Sequence, residues 1–147
     1  MTDSFYMDLM KKLNGLQEQI NALRTIEIGG IWTSYTPILS GWSSNPGGVY
    51  RYCVIGKLCT VMIYQFSSGT SDSTATSISL PITSGATGTW SAPHRYQNNG
   101  TTGSTSGMAL ILTSGSVINF YTGWSAGAWT ASGNKRIINC VITYEIA

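Results

Sequence analysis

Near the start of the chain the apolar residues Tyr6, Leu9, Leu13, Leu16, Ile20 and Leu23 follow one another at spacings of 3, 4, 3, 4 and 3. That is the a/d seam of a heptad repeat. Asn14, Gln17, Glu18, Gln19 and Asn21 ring the rest of the surface. The pattern predicts a helix over 5–27, on the order of 35 Å long at ~1.5 Å per residue. Asp3 or Ser4 caps its start, Asp8 suits the helix dipole, and Gly29-Gly30 stops it. A lone helix of this kind is marginal in water. Its partner is either its own domain, against which an amphipathic helix packs, or further copies of itself. The narrowness of the seam favours copies. Met10 and Ile26 widen the apolar surface, and no opposite charges face each other across it, which favours three strands over two; the seam residues alone do not decide the number.

After Gly30 the period changes from 3.5 to two. Residues 31–39 read as an extended entry broken at Pro37, and Asn45-Pro46-Gly47-Gly48 as a turn. Residues 49–55 and 58–66 read as a hairpin around Gly56-Lys57, 67–74 as a loop, and 76–82 as a strand ended near Pro81. Residues 84–107 are rich in Gly, Ser, Thr and Asn and read as loop-like, with Trp90 and His94-Arg95-Tyr96 set into them. Residues 108–113 and 117–121 form a second hairpin around Ser114-Gly115. The longest strand, 135–146, would put Ile138, Cys140, Ile142, Tyr144 and Ile146 on one face. About eight short strands with turns every 8–12 residues imply a sandwich or barrel. The expected fold is therefore mainly β: a coiled-coil helix (1–28), then an antiparallel jelly-roll-like β-sandwich head (29–147), homotrimeric, with three heads packed around one axis to shield the sheet edges.

Composition narrows the function. Of 147 residues 42% are apolar, which argues against disorder, and only 10% are charged, against ~25% in an average soluble protein. The net charge is +2, with no basic run beyond Lys11-Lys12 and Lys135-Arg136, so nucleic acid is not an expected partner. No apolar stretch reaches the ~20 residues needed to cross a bilayer. Met1-Thr2-Asp3-Ser4 lacks the basic start and apolar core of a signal peptide, so synthesis in a cytoplasm is expected. In the hairpin register Ile55–Leu58 and Val54–Cys59, Cys53 lies opposite Thr60, and the Cys53 and Cys59 sulfurs point to opposite faces. With Cys140 they are expected to be free thiols.

Residues 29–42, Gly-Gly-Ile-Trp-Thr-Ser-Tyr-Thr-Pro-Ile-Leu-Ser-Gly-Trp, followed by Tyr50-Arg51-Tyr52-Cys53-Val54-Ile55-Gly56-Lys57-Leu58, carry a resemblance. They are similar to the W-x-x-Y-T-P … Y-x-x-x-G-K pattern that opens the head domains of many phage and prophage tail-fibre and virion-appendage proteins. The resemblance spans about 30 residues and carries no chemistry; it implies a trimeric β head after a coiled coil or fibrous shaft. Such proteins usually have a long virion-anchoring part before the head. This chain has one helix there, so the helix itself, or a separate protein, would supply the anchor.

The residues for catalysis are sparse. Past Gly29 there is one histidine, His94, and two carboxylates, Asp72 and Glu145, with nothing to bring the carboxylates to glycosidase spacing. The cysteines read as core strand positions rather than partners of His94. Metal-ligand spacings are absent, and no cofactor is implied. Asn99-Gly100-Thr101 fits a glycosylation sequon, which without a signal peptide is a chance match. The five tryptophans and eight tyrosines are the richer signal, because aromatic faces stack on sugar C–H faces while amides and hydroxyls bond sugar oxygens. Trp90, His94, Arg95, Tyr96, Trp124 and Trp129 fall in loop-like composition and are the candidate glycan contacts. The competing reading is that these rings fill the core or an interface; Trp32 and Trp42 read as structural. The sequence thus points to a non-enzymatic virion surface appendage, a fibre tip mediating host attachment with glycan as the ligand. The alternative is a capsid-decorating head fibre held to capsid or tail by its N-terminal helix. The expected partners are two further copies, other virion proteins through the helix, and a host surface glycan or protein; nucleic acid and membrane are not expected.

Overall fold

The computed structural model describes residues 2–25 and 30–147 and divides into two compact units, Met1–Ile31 and Trp32–Ala147. The first contains one helix, α1 (Thr2–Thr25). Its described seam side chains, Tyr6, Leu9, Leu13 and Leu16, are 50–62% exposed. The side chains of Ile20 and Leu23 lie outside the described residues. On the polar surface Lys12 pairs with Asp8 at 3.3 Å, an i,i+4 pair with the acid on the N-terminal side, worth a few tenths of a kcal/mol.

The second unit is built of strands β1 (Thr33–Ser34), β2 (Leu39–Ser40), β3 (Trp42–Ser44), β4 (Gly48–Ile55), β5 (Leu58–Gln65), β6 (Gly69–Ser71), β7 (Ser77–Ser79), β8 (Trp90–Asn98), β9 (Thr101–Thr102), β10 (Gly107–Ile111), β11 (Val117–Tyr121) and β12 (Asn134–Glu145). The main path runs β1-β4-β5-β12-β8-β10-β11-β7-β2, every neighbouring pair antiparallel. Eight antiparallel steps leave β1 and β2 running in the same direction, as two parts of one extended segment must. Residues 33–40 are that segment. Before Pro37, the Tyr35 N–H donates to the Tyr50 carbonyl at 3.1 Å; after it, Ile38 and Ser79 exchange bonds, the Ile38 N–H donating to Ser79 Oγ at 2.8 Å and the Ser79 N–H to the Ile38 carbonyl at 2.9 Å. Proline has no N–H to give a ladder, so it sits where the segment changes partners. The sheet thus curls until its two ends meet in one stretch of chain. This closure covers the edges of β4 and β7 within one chain.

The β4–β5 hairpin has the register expected from Gly56-Lys57: Ile55↔Leu58, Val54↔Cys59, Cys53↔Thr60. Gly56, at φ 60°, takes the left-handed turn position that glycine fills without strain. The concave side is packed by Cys59, Val61, Ile63, Ile78, Ile111, Ile118, Phe120, Ile142 and Tyr144.

Two local expectations are corrected. Residues 90–98 form a nine-residue strand rather than a loop, because Trp90, Ala92, His94 and Tyr96 alternate with Ser91, Pro93 and Arg95 as a pleat requires. Pro93 is tolerated because β8 hands over at His94, its C-terminal half pairing β12 and its N-terminal half β10. In β12 the register shifts between Ile137 and Asn139. This bulge makes Ile138 the extra residue, and Ile137, not Ile138, joins Cys140, Ile142 and Tyr144 inside. Without it Lys135 and Ile137 would face out whenever Cys140 faced in.

Candidate functional site

The alternation of β8 decides where the candidate contacts go. His94 is 3% exposed and Tyr96 8%, both buried, while Arg95 projects from the opposite face. Trp90 is half-buried, its ring edge-on to Tyr144 at 6.3 Å. Trp129, beyond β11, turns inward: its indole N–H donates to the Phe120 carbonyl at 2.7 Å. The structure therefore brings together His94, Tyr96 and Trp129, but inside the head. His94 stacks on Trp129 (6.2 Å, 13°), meets Phe120 edge-on at 5.1 Å, and Tyr96 meets Trp129 edge-on at 5.3 Å. These three are core rings rather than an exposed sugar platform. Of the six candidates, Arg95 and Trp124 are exposed, Trp124 at 57%.

His94 Nε2 lies 2.9 Å from the Tyr121 carbonyl. A carbonyl only accepts, so Nε2 carries the proton and Nδ1 does not. Nδ1 is buried with no hydrogen-bond partner. Burial lowers the His94 pKa below 6.5, the Tyr121 carbonyl opposing the shift.

Beside this cluster is a residue the sequence reading missed. Lys135 is 0% exposed. Its Nζ donates to the Ser73 carbonyl at 2.9 Å and lies 5.2 Å from the Trp42 ring and 5.7 Å from the Trp129 ring, a cation within reach of two indole faces. Burial lowers its pKa to about 8, with Asp72 opposing. The signal that could have found it is the parity conflict in Lys-Arg-Ile-Ile-Asn-Cys-Val-Ile, where Ile137 and Cys140 cannot share a face in a regular strand.

The buried rings tether the two ends of the 122–130 loop from beneath. The Tyr96 hydroxyl donates to the Thr122 carbonyl at 2.7 Å, the Thr122 N–H to Gly127 at 2.9 Å, and the Trp129 N–H to Thr74 at 3.1 Å. Trp124 is an exposed ring between these two tethered ends. On the same stretch Thr122, with Tyr96, Asn98, Thr101, Thr102, Gly103 and Ser104, lines an open hollow of about 360 Å³. A second hollow of about 220 Å³, lined by Arg95 and residues 103–106, shares Gly103 and Ser104 with it. The two form a hydroxyl-rich surface whose one charged group is the Arg95 guanidinium. A wider hollow of about 470 Å³, between the 34–39 segment and β4, holds Tyr35, Pro37, Pro46 and Tyr50. None of these hollows is lined by a carboxylate or a histidine.

Asp72 acts on Lys135 at one end of β12, and Glu145, which accepts from Thr87 Oγ1 at 2.8 Å, ends the same strand. Ten residues of strand separate the two positions by roughly 30 Å. Among the described residues no three His, Cys, Asp or Glu side chains are grouped to hold a metal ion, and no helix is long and apolar enough to cross a membrane.

No protein-family model matches this chain, and neither a curated protein nor a solved structure is significantly similar to it.

Proposed function

We propose that this protein is a non-enzymatic appendage of a virus-particle surface. In this reading α1 helices from three copies wind into a stalk, its N-terminal side bound to other virion proteins, and jelly-roll-like heads meet the host at a fibre tip. The observation that carries it is the self-matching heptad seam left open on α1, with Tyr6, Leu9, Leu13 and Leu16 each at least half exposed. A helix with such a seam finds its complement in another copy of itself. The hydroxyl-rich hollows beside Arg95 and the exposed Trp124 suit weak binding of a host glycan, which three linked heads would strengthen by two or more orders of magnitude. Synthesis in the host cytoplasm and release on the particle follow from this role.

The burial of His94, Tyr96 and Trp129 favours a second reading, a capsid-decorating head fibre with no receptor site on the head. Native mass spectrometry of the full chain at micromolar concentration tests the stalk: a trimer is expected, lost on combining Leu9→Asp with Leu13→Asp, and a wild-type monomer overturns the reading. Competition between purified trimer and intact particles for host cells then separates the two roles, since a decorating protein does not compete.

A further inference from the structure

The convex side of β4, β5 and β12 is apolar where a solvated sheet face would be polar. Along β5 the residues facing out are Leu58, Thr60, Met62 and Tyr64; they pair with Ile55, Cys53, Arg51 and Val49 on β4, and the first three with Glu145, Thr143 and Val141 on β12. Val49, Ile55, Leu58, Tyr64, Phe66 and Val141 are between 39% and 57% exposed, and the Tyr64 and Phe66 rings lie 6.5 Å apart. Strands apolar on both sides are the mark of a sheet covered on both sides.

We infer that this face, centred on Leu58, Tyr64 and Val141, is where the head of one copy packs against the head of another. Two arguments point to a second copy as the occupant. Half-exposed side chains of this size leave roughly 100 Å² each, so the six present on the order of 600 Å²; with Met62, Thr60 and Thr143 between them, this approaches the ~800 Å² per partner of a standard interface. Finally, the seven residues from Thr25 to Trp32 span at most ~25 Å of chain, so any stalk holds its heads at millimolar effective concentration, enough to occupy even a weak patch. This last argument rests on the stalk reading; the first does not.

Sedimentation of three full-length proteins tests it: wild type, the helix variant Leu9→Asp/Leu13→Asp/Leu16→Asp, and the helix variant carrying Leu58→Lys and Val141→Lys. The helix variant is expected to associate through its heads as concentration rises to about millimolar, and the two lysines to weaken that association at least tenfold with the melting profile kept. A helix variant that stays monomeric beside a trimeric wild type overturns the interface and leaves the stalk standing. A monomeric wild type overturns the stalk. Association that survives both lysines uses another surface and also overturns the proposal. Should the lysine variant melt early, Val49→Thr/Tyr64→Ser makes the same test with smaller changes on the same face.

Discussion

The Lys135 ammonium lies 5.2 Å from the centre of the Trp42 ring, and the Trp42 indole N–H donates back to the Lys135 carbonyl at 3.2 Å. The two residues close on each other across 93 positions of sequence, joining β3 to the start of β12. The Trp129 ring lies 5.7 Å from the same ammonium, so one buried cation contacts three separate parts of the head.

Lys135→Ala is expected to cost about 3–4 kcal/mol, the sum of a cavity beside two indoles and an unsatisfied Ser73 carbonyl. Lys135→Met keeps the stem and should cost about 1–2 kcal/mol. Denaturant unfolding followed by tryptophan fluorescence measures both, and a Lys135→Met variant as stable as the wild type would show that the ammonium's hydrogen bond contributes nothing.

Stability should peak near neutral to mildly alkaline pH. His94 is held neutral in the fold, with its pKa below 6.5, so the unfolded chain binds the extra proton and stability falls as pH drops through and below 6.5. Lys135, lowered from 10.5 to about 8, adds stability as pH rises from about 8 to 10.5. Against it, burial pushes the Cys140 thiol from 9.0 up to about 12 and raises Tyr35, Tyr50, Tyr144 and Cys59. These acids keep protons that the unfolded chain releases, so stability falls above pH 9. Unfolding midpoints from pH 5 to 10.5 should show a dome; Lys135→Met should steepen its alkaline side and Cys140→Ala flatten it.

A Cβ on Gly107 would run into the His94 ring and the Tyr121 carbonyl, the two groups that hydrogen-bond across this glycine. Gly107→Ala should therefore destabilise by more than about 2 kcal/mol, with the histidine displaced. An unchanged His94 imidazole shift by NMR would show that the site yields without loss.

Deleting Ile138 removes the extra residue, so Lys135, Ile137 and Cys140 fall on one face of a regular strand and all three stay inside. The deletion variant should therefore still fold, and Ile138→Ala should cost less than about 2 kcal/mol because the side chain is only half-buried. A deletion variant that fails to fold would refute the register.

Trp124→Ala should leave thermal stability within about 0.5 kcal/mol, whereas Trp129→Ala should cost about 3–5 kcal/mol. If the head binds a host glycan, Trp124→Ala reduces attachment without unfolding. Full attachment by that variant would remove Trp124 from the contact set and favour the decorating role.

Several features could be read directly from residue order because they are local. The seam spacing from Tyr6 to Leu16 defines a helix with one apolar stripe, Gly56 between Ile55 and Lys57 defines a hairpin and its register, and the change of period after Gly30 separates helix from strands. Each depends on neighbours within a few positions, where backbone geometry leaves few choices.

Only the tertiary structure decided the rest. Residues 90–98 look like a loop by composition, yet their pleat has β12 and β10 to pair with, and pairing turned His94 and Tyr96 inward and Arg95 outward. The Ile138 bulge shifted parity by one residue and so buried a lysine that composition alone would leave in water. The closure of the sheet through residues 33–40 required β4 and β7 to meet one segment on either side of Pro37. In each case the deciding partner lies tens of residues away, and side-chain direction follows from that partner rather than from the residue itself. The heptads on α1 and the apolar residues outside β4, β5 and β12 stand between these two kinds of knowledge: sequence supplies the apolar groups, and physical complementarity calls for another copy to cover them.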